Sequence, residues 1–154
     1  MKELQIRWQR LVDEQGQTCD RCGATEQAVE DAIGKLQRSL RELAIDVVLE
    51  KVAIGRSLFA NDPLQSNRIW IGGKSLEEWL SATVGRSQCC SACGDSQCRT
   101  VTLAGKTYEA IPAALIIKAG LLAAAALLDD ESGSACCPTV VPPPGSPGRC
   151  LPTP

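Results

Sequence analysis

The stretch TCDRCGATEQAVEDAIGKLQRSLRELAIDVVLEKVAI, residues 18–54, decides the expected fold. It opens with two cysteines, Cys19 and Cys22, in a Cys-x-x-Cys spacing. From Thr25 to Leu43 apolar residues recur at steps of three and four, which is the pattern of one face of an amphipathic helix. Ile45 to Ile54 is rich in β-branched residues and predicts a strand. The cysteine pair is therefore expected at the start of a helix that leads into a strand.

Elements on either side extend this pattern. Leu4, Ile6 and Trp8 alternate with polar residues and predict a short strand before the cysteines. Strand, helix and strand in this order form a βαβ unit, whose two strands are expected to be parallel. Further along, the sequence predicts a strand over 68–71, a turn at 72–73, a helix over 75–83, a strand over 99–103 and a last helix that begins at Pro112. The chain is therefore expected to be an α/β protein.

The composition excludes several functions. The 154 residues suffice for one domain, and they include nine cysteines and no histidine. Without histidine no Ser-His-Asp or Cys-His nucleophile and no mixed Cys/His zinc finger can form. The net charge is −2 with no basic stripe, so a nucleic acid is not an expected partner. Glu77 and Glu78 are adjacent on the predicted helix and are expected to be diverging surface charges.

The N-terminal residues help to predict the cellular compartment of the protein. Residues 1–8 alternate charged and apolar side chains and lack the apolar run of a secretory signal, so a cytoplasmic protein is expected. Stable disulfides are rare there, which favours redox exchange or soft-metal binding by the cysteines. One membrane candidate, residues 111–128, carries Lys118 in its middle, at about 2.5–3.5 kcal/mol on the insertion scale. A buried terminal helix fits this segment better, and no membrane is an expected partner.

The Cys19-Asp20-Arg21-Cys22 motif points to thiol chemistry. At a helix start, unpaired backbone amides and the positive end of the helix dipole favour a thiolate. Lowering a cysteine pKa from about 8.5 to about 7 corresponds to about 2 kcal/mol, which the amides and Arg21 could supply. Cys19 is then the expected nucleophile, and Cys22 would resolve the mixed disulfide. The expected catalytic residues are Cys19, Cys22 and Arg21.

A second group of thiols comprises Cys89, Cys90, Cys93 and Cys98. Four thiolates within ten residues could hold zinc tetrahedrally, although adjacent cysteines rarely ligate one zinc together. A three-thiolate site for a softer ion fits equally well, as does exchange with Cys19 and Cys22. An iron–sulfur cluster or a set of stapling disulfides remains as a further alternative.

The composition changes after Leu128. Residues 129–154 contain seven of the nine prolines, so they are expected to form a disordered tail behind a folded domain of residues 1–128. The tail carries a vicinal pair, Cys136 and Cys137, which are either incidental or able to deliver a metal. A tether of this kind would raise the local thiol concentration to roughly millimolar.

The residues carry a family resemblance. A strand, a Cys-x-x-Cys at a helix start, a second strand and then NRIWIGGKSLEEWL, residues 67–80, together resemble the thioredoxin-like superfamily, and that last segment is similar to the strand-turn-helix half of glutaredoxins. The resemblance covers about residues 1–128, with a cysteine-rich loop insertion at 87–98. The Cys-Cys-x-x-Cys run followed by a Cys-Arg-Thr strand is similar to a cysteine-rich branch of uncharacterised prokaryotic proteins in that superfamily.

The resemblance implies a three-layer fold, with a central mixed sheet flanked by helices and thiol chemistry at Cys19 and Cys22. A redox function of this kind requires no bound cofactor. One departure concerns the position before the third strand, where thioredoxins carry a cis-proline and this chain has Ser66-Asn67. Substrate docking of the ordinary thioredoxin kind is therefore not implied.

The function expected from these observations is disulfide exchange, or capture and transfer of soft heavy-metal or metalloid ions, through Cys19 and Cys22. Expected partners are a thiol or disulfide protein, or a donor and acceptor of metal ions. One alternative is a zinc-binding module without turnover that uses Cys89, Cys90, Cys93 and Cys98. The other is a structural domain stapled by disulfides.

Overall fold

The computed structural model describes residues 1–89 and 93–132. Two short 3₁₀ turns, at Arg41–Leu43 and Pro63–Gln65, accompany the helices and strands. In chain order the elements are β1 (Lys2–Leu11), α1 (Asp20–Leu40), β2 (Ile45–Ile54), α2 (Arg56–Asn61), β3 (Arg68–Ile71), β4 (Lys74–Ser75), α3 (Leu76–Leu80), β5 (Thr83–Gln88), β6 (Gln97–Leu103), β7 (Lys106–Tyr108) and α4 (Ala113–Ser132).

The first sheet contains the βαβ unit expected from the sequence. Its strand order is β2-β1-β3-β4, with β1 parallel to β2 and antiparallel to β3. Strand β2 has the bounds predicted from its β-branched residues, and α1 begins directly after Cys19. The expectations of a parallel pair and of a mixed sheet are therefore confirmed.

The core lies between the inner face of this sheet and two helices. Leu4, Ile6 and Trp8 of β1 are completely buried and pack with the apolar stripe of α1 and with α4. The two helices approach closely at Gly120, where a Cβ atom would lie 2.6 Å from Leu36 Cδ1. A side chain at this position would force Leu36 to move, so the glycine allows the close approach of the two helices.

The outer face of the first sheet is covered only at one end. There Phe59 of α2 packs with Ile54, Leu11 and Cys98. Elsewhere the outward side chains of β1, such as Arg7, are exposed. The predicted three-layer arrangement is therefore wrong for most of the sheet, because polar residues at alternate strand positions leave that face to water.

A second sheet flanks the predicted loop insertion, and its strands include only the two ends of that insertion. Strands β5, β6 and β7 form an antiparallel sheet, and residues 89–96 connect β5 to β6. The predicted helix over 75–83 ends at Leu80, and Ser81 follows with a left-handed φ of 53°. The sequence did not predict β5 as a strand because its residues show no apolar alternation, and four of its six register pairs with β6 join polar residues or glycine. The residues that pair with β5 lie in β6, beyond the connection, so the local sequence pattern does not reveal this pairing.

Helices α1 and α4 both start at the cysteine end of the molecule. The backbone N–H of Ile111, just before α4, donates to Thr25 Oγ1 in the first turns of α1 at 3.1 Å. Near the other end of α4, the Lys2 ammonium contacts the Leu127 carbonyl oxygen. Lys2 begins β1, whereas Leu11 at its far end accepts a hydrogen bond from the Thr18 hydroxyl beside Cys19. The chain in α4 therefore runs away from the cysteines.

Helix α4 continues to Ser132, four residues beyond the predicted domain end, and residues 133–154 lie outside the described residues. The disordered tail stays a prediction. Among the described helices none is long and apolar enough to cross a membrane. Segment 111–128 forms most of α4, and its inner side packs in the core as predicted.

Candidate thiol and metal site

The loop between β1 and α1 holds Cys19 at the N-cap of a 21-residue helix. The Asp13 carboxylate accepts hydrogen bonds from the backbone N–H groups of Gln15 and Gln17 at 2.9 and 2.8 Å. The Thr18 hydroxyl donates to the Leu11 carbonyl at 2.9 Å. These bonds fix the approach to the helix, so the position of Cys19 is set by the backbone on both sides.

The β5–β6 connection brings two more sulfurs to Cys19. The Sγ atoms of Cys19 and Cys89 are 4.0 Å apart, about twice the length of a disulfide bond. The sulfurs of Cys19, Cys89 and Cys93 all lie within 4.8 Å of one another, and all three residues are half-buried. We call these three residues the thiol triad. The sequence separated them into two groups, and the structure joins them into one.

Cys22 lies beneath Cys19 and is buried. Its sulfur is 3.5 Å from the Ser66 hydroxyl oxygen, which itself accepts a hydrogen bond from the Leu11 N–H at 2.9 Å. A hydrogen bond to Cys19, together with burial, holds the pKa of Cys22 well above its usual range. Cys22 is therefore a protonated thiol next to the triad.

Cys98 is the neighbour of the triad on the other side. It lies in β6, buried against Ile54 and Phe59. Burial, a hydrogen bond with Cys89 and the negative charge of that sulfur raise the pKa of Cys98 to about 12. Cys98 was predicted as a metal ligand, but it is not one of the three grouped sulfurs.

Cys90, Cys136 and Cys137 lie outside the described residues. Their predicted roles as metal ligands therefore stay predictions.

Arg21 ties α1 to the second sheet. Its guanidinium donates to the carbonyl oxygens of Arg99 at 2.8 Å, Glu109 at 3.0 Å and Gln88 at 3.5 Å. The side chain is 8% exposed. Its positive charge favours the thiolate form of Cys98. The help predicted from Arg21 for Cys19 stays a prediction, while an anchoring role for Arg21 is visible in these bonds.

The segment before β3 faces the cysteines. Ser66 contacts Cys22, as described above, and Asn67 has a left-handed φ of 58°. The side-chain Oδ1 of Asn67 accepts a hydrogen bond from Trp8 Nε1 at 3.3 Å, and its side-chain Nδ2 donates to the Glu109 backbone carbonyl at 3.3 Å. This pair therefore links β1, β3 and the segment that leads into α4.

A buried ion pair was missed by the sequence reasoning. Arg99 Nη2 lies 2.8 Å from Glu77 Oε1, and both side chains are less than a tenth exposed. A further N–H of Arg99 donates to the Leu64 carbonyl at 3.1 Å, two residues before Ser66. The expectation that Glu77 is a surface charge is wrong, because its partner comes from a strand that the local pattern did not predict. A lone arginine directly after Cys98 was the available signal.

A cavity of about 240 Å³ opens beside Cys93. Its lining includes the Arg56 and Phe59 side chains of α2, together with Gly94 and Ser96. Arg56 also borders a wider groove of about 620 Å³ that reaches Asp13 and Glu14. The triad is therefore approached from the side of α2.

A mixed α/β fold with clustered thiols defines a cysteine-rich thiol protein with a candidate metal site. The chain belongs to the family described as "Domain of unknown function (DUF2703)", whose model matches residues 4–120. It is also similar to an uncharacterised protein of Archaeoglobus fulgidus, with 37% identity over 115 residues that cover 74% of this chain and 82% of the relative. No solved structure matches the chain. The triad, Cys22 and Cys98 all fall inside the family match.

Proposed function

We propose that the protein binds one thiophilic metal or metalloid ion through the thiolates of the thiol triad. The observation that carries this proposal is that three sulfurs, from a helix start and from a hairpin connection about 70 residues later, lie within 4.8 Å of one another. Thiolate ligands select soft ions over calcium or magnesium, and no carboxylate or imidazole belongs to this group of ligands.

The spacing supports this proposal. In a tetrahedral zinc site with Zn–S distances of about 2.3 Å, neighbouring sulfurs are about 3.8 Å apart. The sulfurs of Cys19 and Cys89 are already at 4.0 Å. A shift of up to about 1 Å at Cys93 would complete three equal edges. Three ligands on a larger ion, or three with a fourth donor, are both compatible with this geometry.

The electrostatics support an ion at the same position. Burial, a hydrogen bond with Cys89 and the negative charges of the neighbouring sulfurs raise the pKa of Cys93 well above its usual range. Three thiolates so close together therefore repel one another unless a cation lies between them. Binding of the ion then releases protons, and its affinity falls as the pH falls.

Titration with Cd²⁺ under reducing conditions tests this proposal. We expect one ion per chain, a thiolate-to-metal absorption band and a release of protons measured in weakly buffered solution. Cys19→Ser and Cys93→Ser should each weaken binding by at least about 100-fold, because a directly coordinating ligand is lost. Cys98→Ser is the matched control, and it should change affinity only a few-fold. Equal affinities in Cys19→Ser and the wild-type chain would contradict the proposal.

Thiol–disulfide exchange is the second candidate. A thioredoxin-like fold would account for the strand order β2-β1-β3-β4 and for a Cys-x-x-Cys motif at the start of α1. In this reaction the Cys19 thiolate attacks a substrate disulfide and forms a mixed disulfide, and one substrate sulfur leaves as a thiolate. The Cys22 sulfur, after losing its proton, then attacks Cys19. The products are a Cys19–Cys22 disulfide and a substrate dithiol, which has gained two electrons.

The protonated state of Cys22 favours this order of events. Because its pKa is raised, Cys22 stays protonated, and Cys19 is the more exposed residue of the two. With oxidised glutathione as substrate, Cys22→Ser should accumulate a mixed disulfide at Cys19, detected by mass spectrometry. A Cys22→Ser chain that forms no adduct while it still binds Cd²⁺ would contradict thiol–disulfide exchange but not ion binding.

The expected setting of either function is the cytoplasm. The partner would be a protein or small thiol that donates or accepts the ion, or a protein disulfide. The cavity beside Cys93 would admit such a thiol from the side of α2.

A further inference from the structure

Helix α4 has an apolar outer face. Its inner side packs on α1 and the first sheet, yet Leu121, Leu122 and Leu128 are 46%, 43% and 37% exposed. At 100° per residue these leucines share one side of the helix. The outer face, which we call the α4 face, consists of Ala114, Ile117, Lys118, Leu121, Leu122, Ala125, Leu128 and Asp129. Large exposed apolar patches are a common feature of interaction sites.

We propose that the α4 face pairs with the same face of a second copy of this chain, in an antiparallel arrangement about a twofold axis. The axis would pass between Leu121 and Ala125, so that the leucine of each copy faces the alanine of the other. A twofold axis makes every contact occur twice, and a large residue opposite a small one lets the two helices approach closely.

The charges of the α4 face favour this partner and this direction. Lys118 and Asp129 lie at nearly equal distances on either side of the proposed axis. In the antiparallel pair the Lys118 ammonium of one copy reaches Asp129 of the other, whereas a parallel pair would bring two lysines together. Within the part of the chain that the structure describes, Lys118 forms no ion pair.

A lipid surface fits the α4 face less well. Amphipathic helices that lie on membranes carry several lysines or arginines beside the apolar face. Here Lys118 is the single basic residue of the helix, and the face ends at an acidic residue.

Sedimentation equilibrium of the full chain over a dilution series tests the proposal. We expect a monomer–dimer equilibrium that Leu121→Glu abolishes, because two carboxylates would be buried opposite alanine. Leu58→Glu is the matched control, since Leu58 is 54% exposed on α2 and its substitution should leave the dimer unchanged. Both positions are exposed, so circular dichroism should match the wild-type chain, and the thermal midpoints should match at concentrations where the wild-type chain is monomeric.

A charge exchange tests the antiparallel direction. Lys118→Glu and Asp129→Lys should each weaken dimerisation by about tenfold, and the double variant should restore it, because the pair is rebuilt with the charges reversed. A wild-type chain that stays monomeric at its highest soluble concentration, or a dimer that survives Leu121→Glu, would overturn the proposal. A monomeric chain that binds phosphatidylcholine vesicles through Leu121 would also overturn it. Failure of the double variant to restore the dimer would reject the antiparallel pairing.

Discussion

The two sides of the thiol triad are held in different ways. Cys19 stands at the junction of a buried strand and a long helix, where backbone hydrogen bonds fix its position. Cys89 and Cys93 belong to the connection between β5 and β6. These strands are joined to the rest of the molecule chiefly by side chains, namely Arg21 and the Arg99–Glu77 pair. The triad therefore has two walls. The first wall is formed by the end of β1 and the start of α1, and backbone hydrogen bonds hold it. The second wall is formed by β5, β6 and their connection, and side chains join it to the first. The distances between the sulfurs therefore depend on the contacts of Arg21 and of the Arg99–Glu77 pair.

The largest effect is expected where the two walls are joined. Glu77→Gln keeps the shape of the side chain but leaves the buried Arg99 charge uncompensated, which should lower the free energy of unfolding by about 3–5 kcal/mol. Urea denaturation measures this change. Cys93 should also become more reactive toward iodoacetamide in native conditions, while Cys22 stays unreactive.

Glu42→Gln is the matched control, since Glu42 is exposed just beyond α1. A loss below about 1 kcal/mol in Glu77→Gln would show that this pair contributes no more than a surface ion pair. It would then not be what holds the second wall to the first.

The wall built by α1 is tested at its contact with α4. Leu36→Ala should cost about 2–5 kcal/mol because Leu36 is almost completely buried. Gly120→Ala alone should cost about 1–3 kcal/mol through its collision with Leu36. The double variant should cost less than the sum, because the smaller side chain at position 36 makes room for the new methyl group. Additive losses in urea denaturation would show that the helices do not meet at this point.

A pH dependence separates Cys98 from the exposed thiols. Its pKa is raised to about 12 in the folded chain, above that of an unfolded cysteine near 8.5. The unfolded chain therefore loses this proton first, so the contribution to stability is complete below about pH 8.5 and declines as the pH rises toward 12. By pH 10 the loss from this group should be about 1–2 kcal/mol.

Urea denaturation of the wild-type chain and of Cys98→Ala at pH 7.5 and pH 10 measures this loss. The variant should lose less stability than the wild-type chain, with Cys22 and Cys93 accounting for the remainder because their pKa values are raised too. Equal losses in both chains would show that Cys98 ionises as an ordinary thiol.

The smallest effect is expected for a surface contact between α1 and β2. The Lys51 ammonium lies 2.8 Å from Glu26 and 2.6 Å from Glu30, and these hydrogen bonds raise the pKa of Lys51. Lys51→Met should cost about 0.2–1 kcal/mol at low salt and less at high salt. Lys35→Met, which removes a pair within α1, is the matched control. A loss that does not change with salt would point to packing of the lysine stem instead.

The sequence predicted the first wall well and the second poorly, for a physical reason. Strand β2 and the start of α1 are encoded by local patterns, namely β-branched residues and an apolar stripe that follows Cys19. Strand β5 and the burial of Glu77 depend on partners in β6 that lie far away in the chain. Local periodicity cannot report such partners. The same limit applies to the triad, whose members the sequence placed in two separate groups of candidate residues.

The direction of α4 limits what the tail thiols can reach. The helix carries the chain about 30 Å away from the cysteine end, and the five residue-to-residue steps from Ser132 to Cys137 span at most about 18 Å. Delivery by Cys136 and Cys137 to the triad of their own chain stays a prediction, and it would have to bridge the length of α4. In the proposed antiparallel pair, however, each α4 ends beside the start of the other. Delivery by these thiols from one chain of the pair to the triad of the other would then occur at a rate that rises with the fraction of dimer.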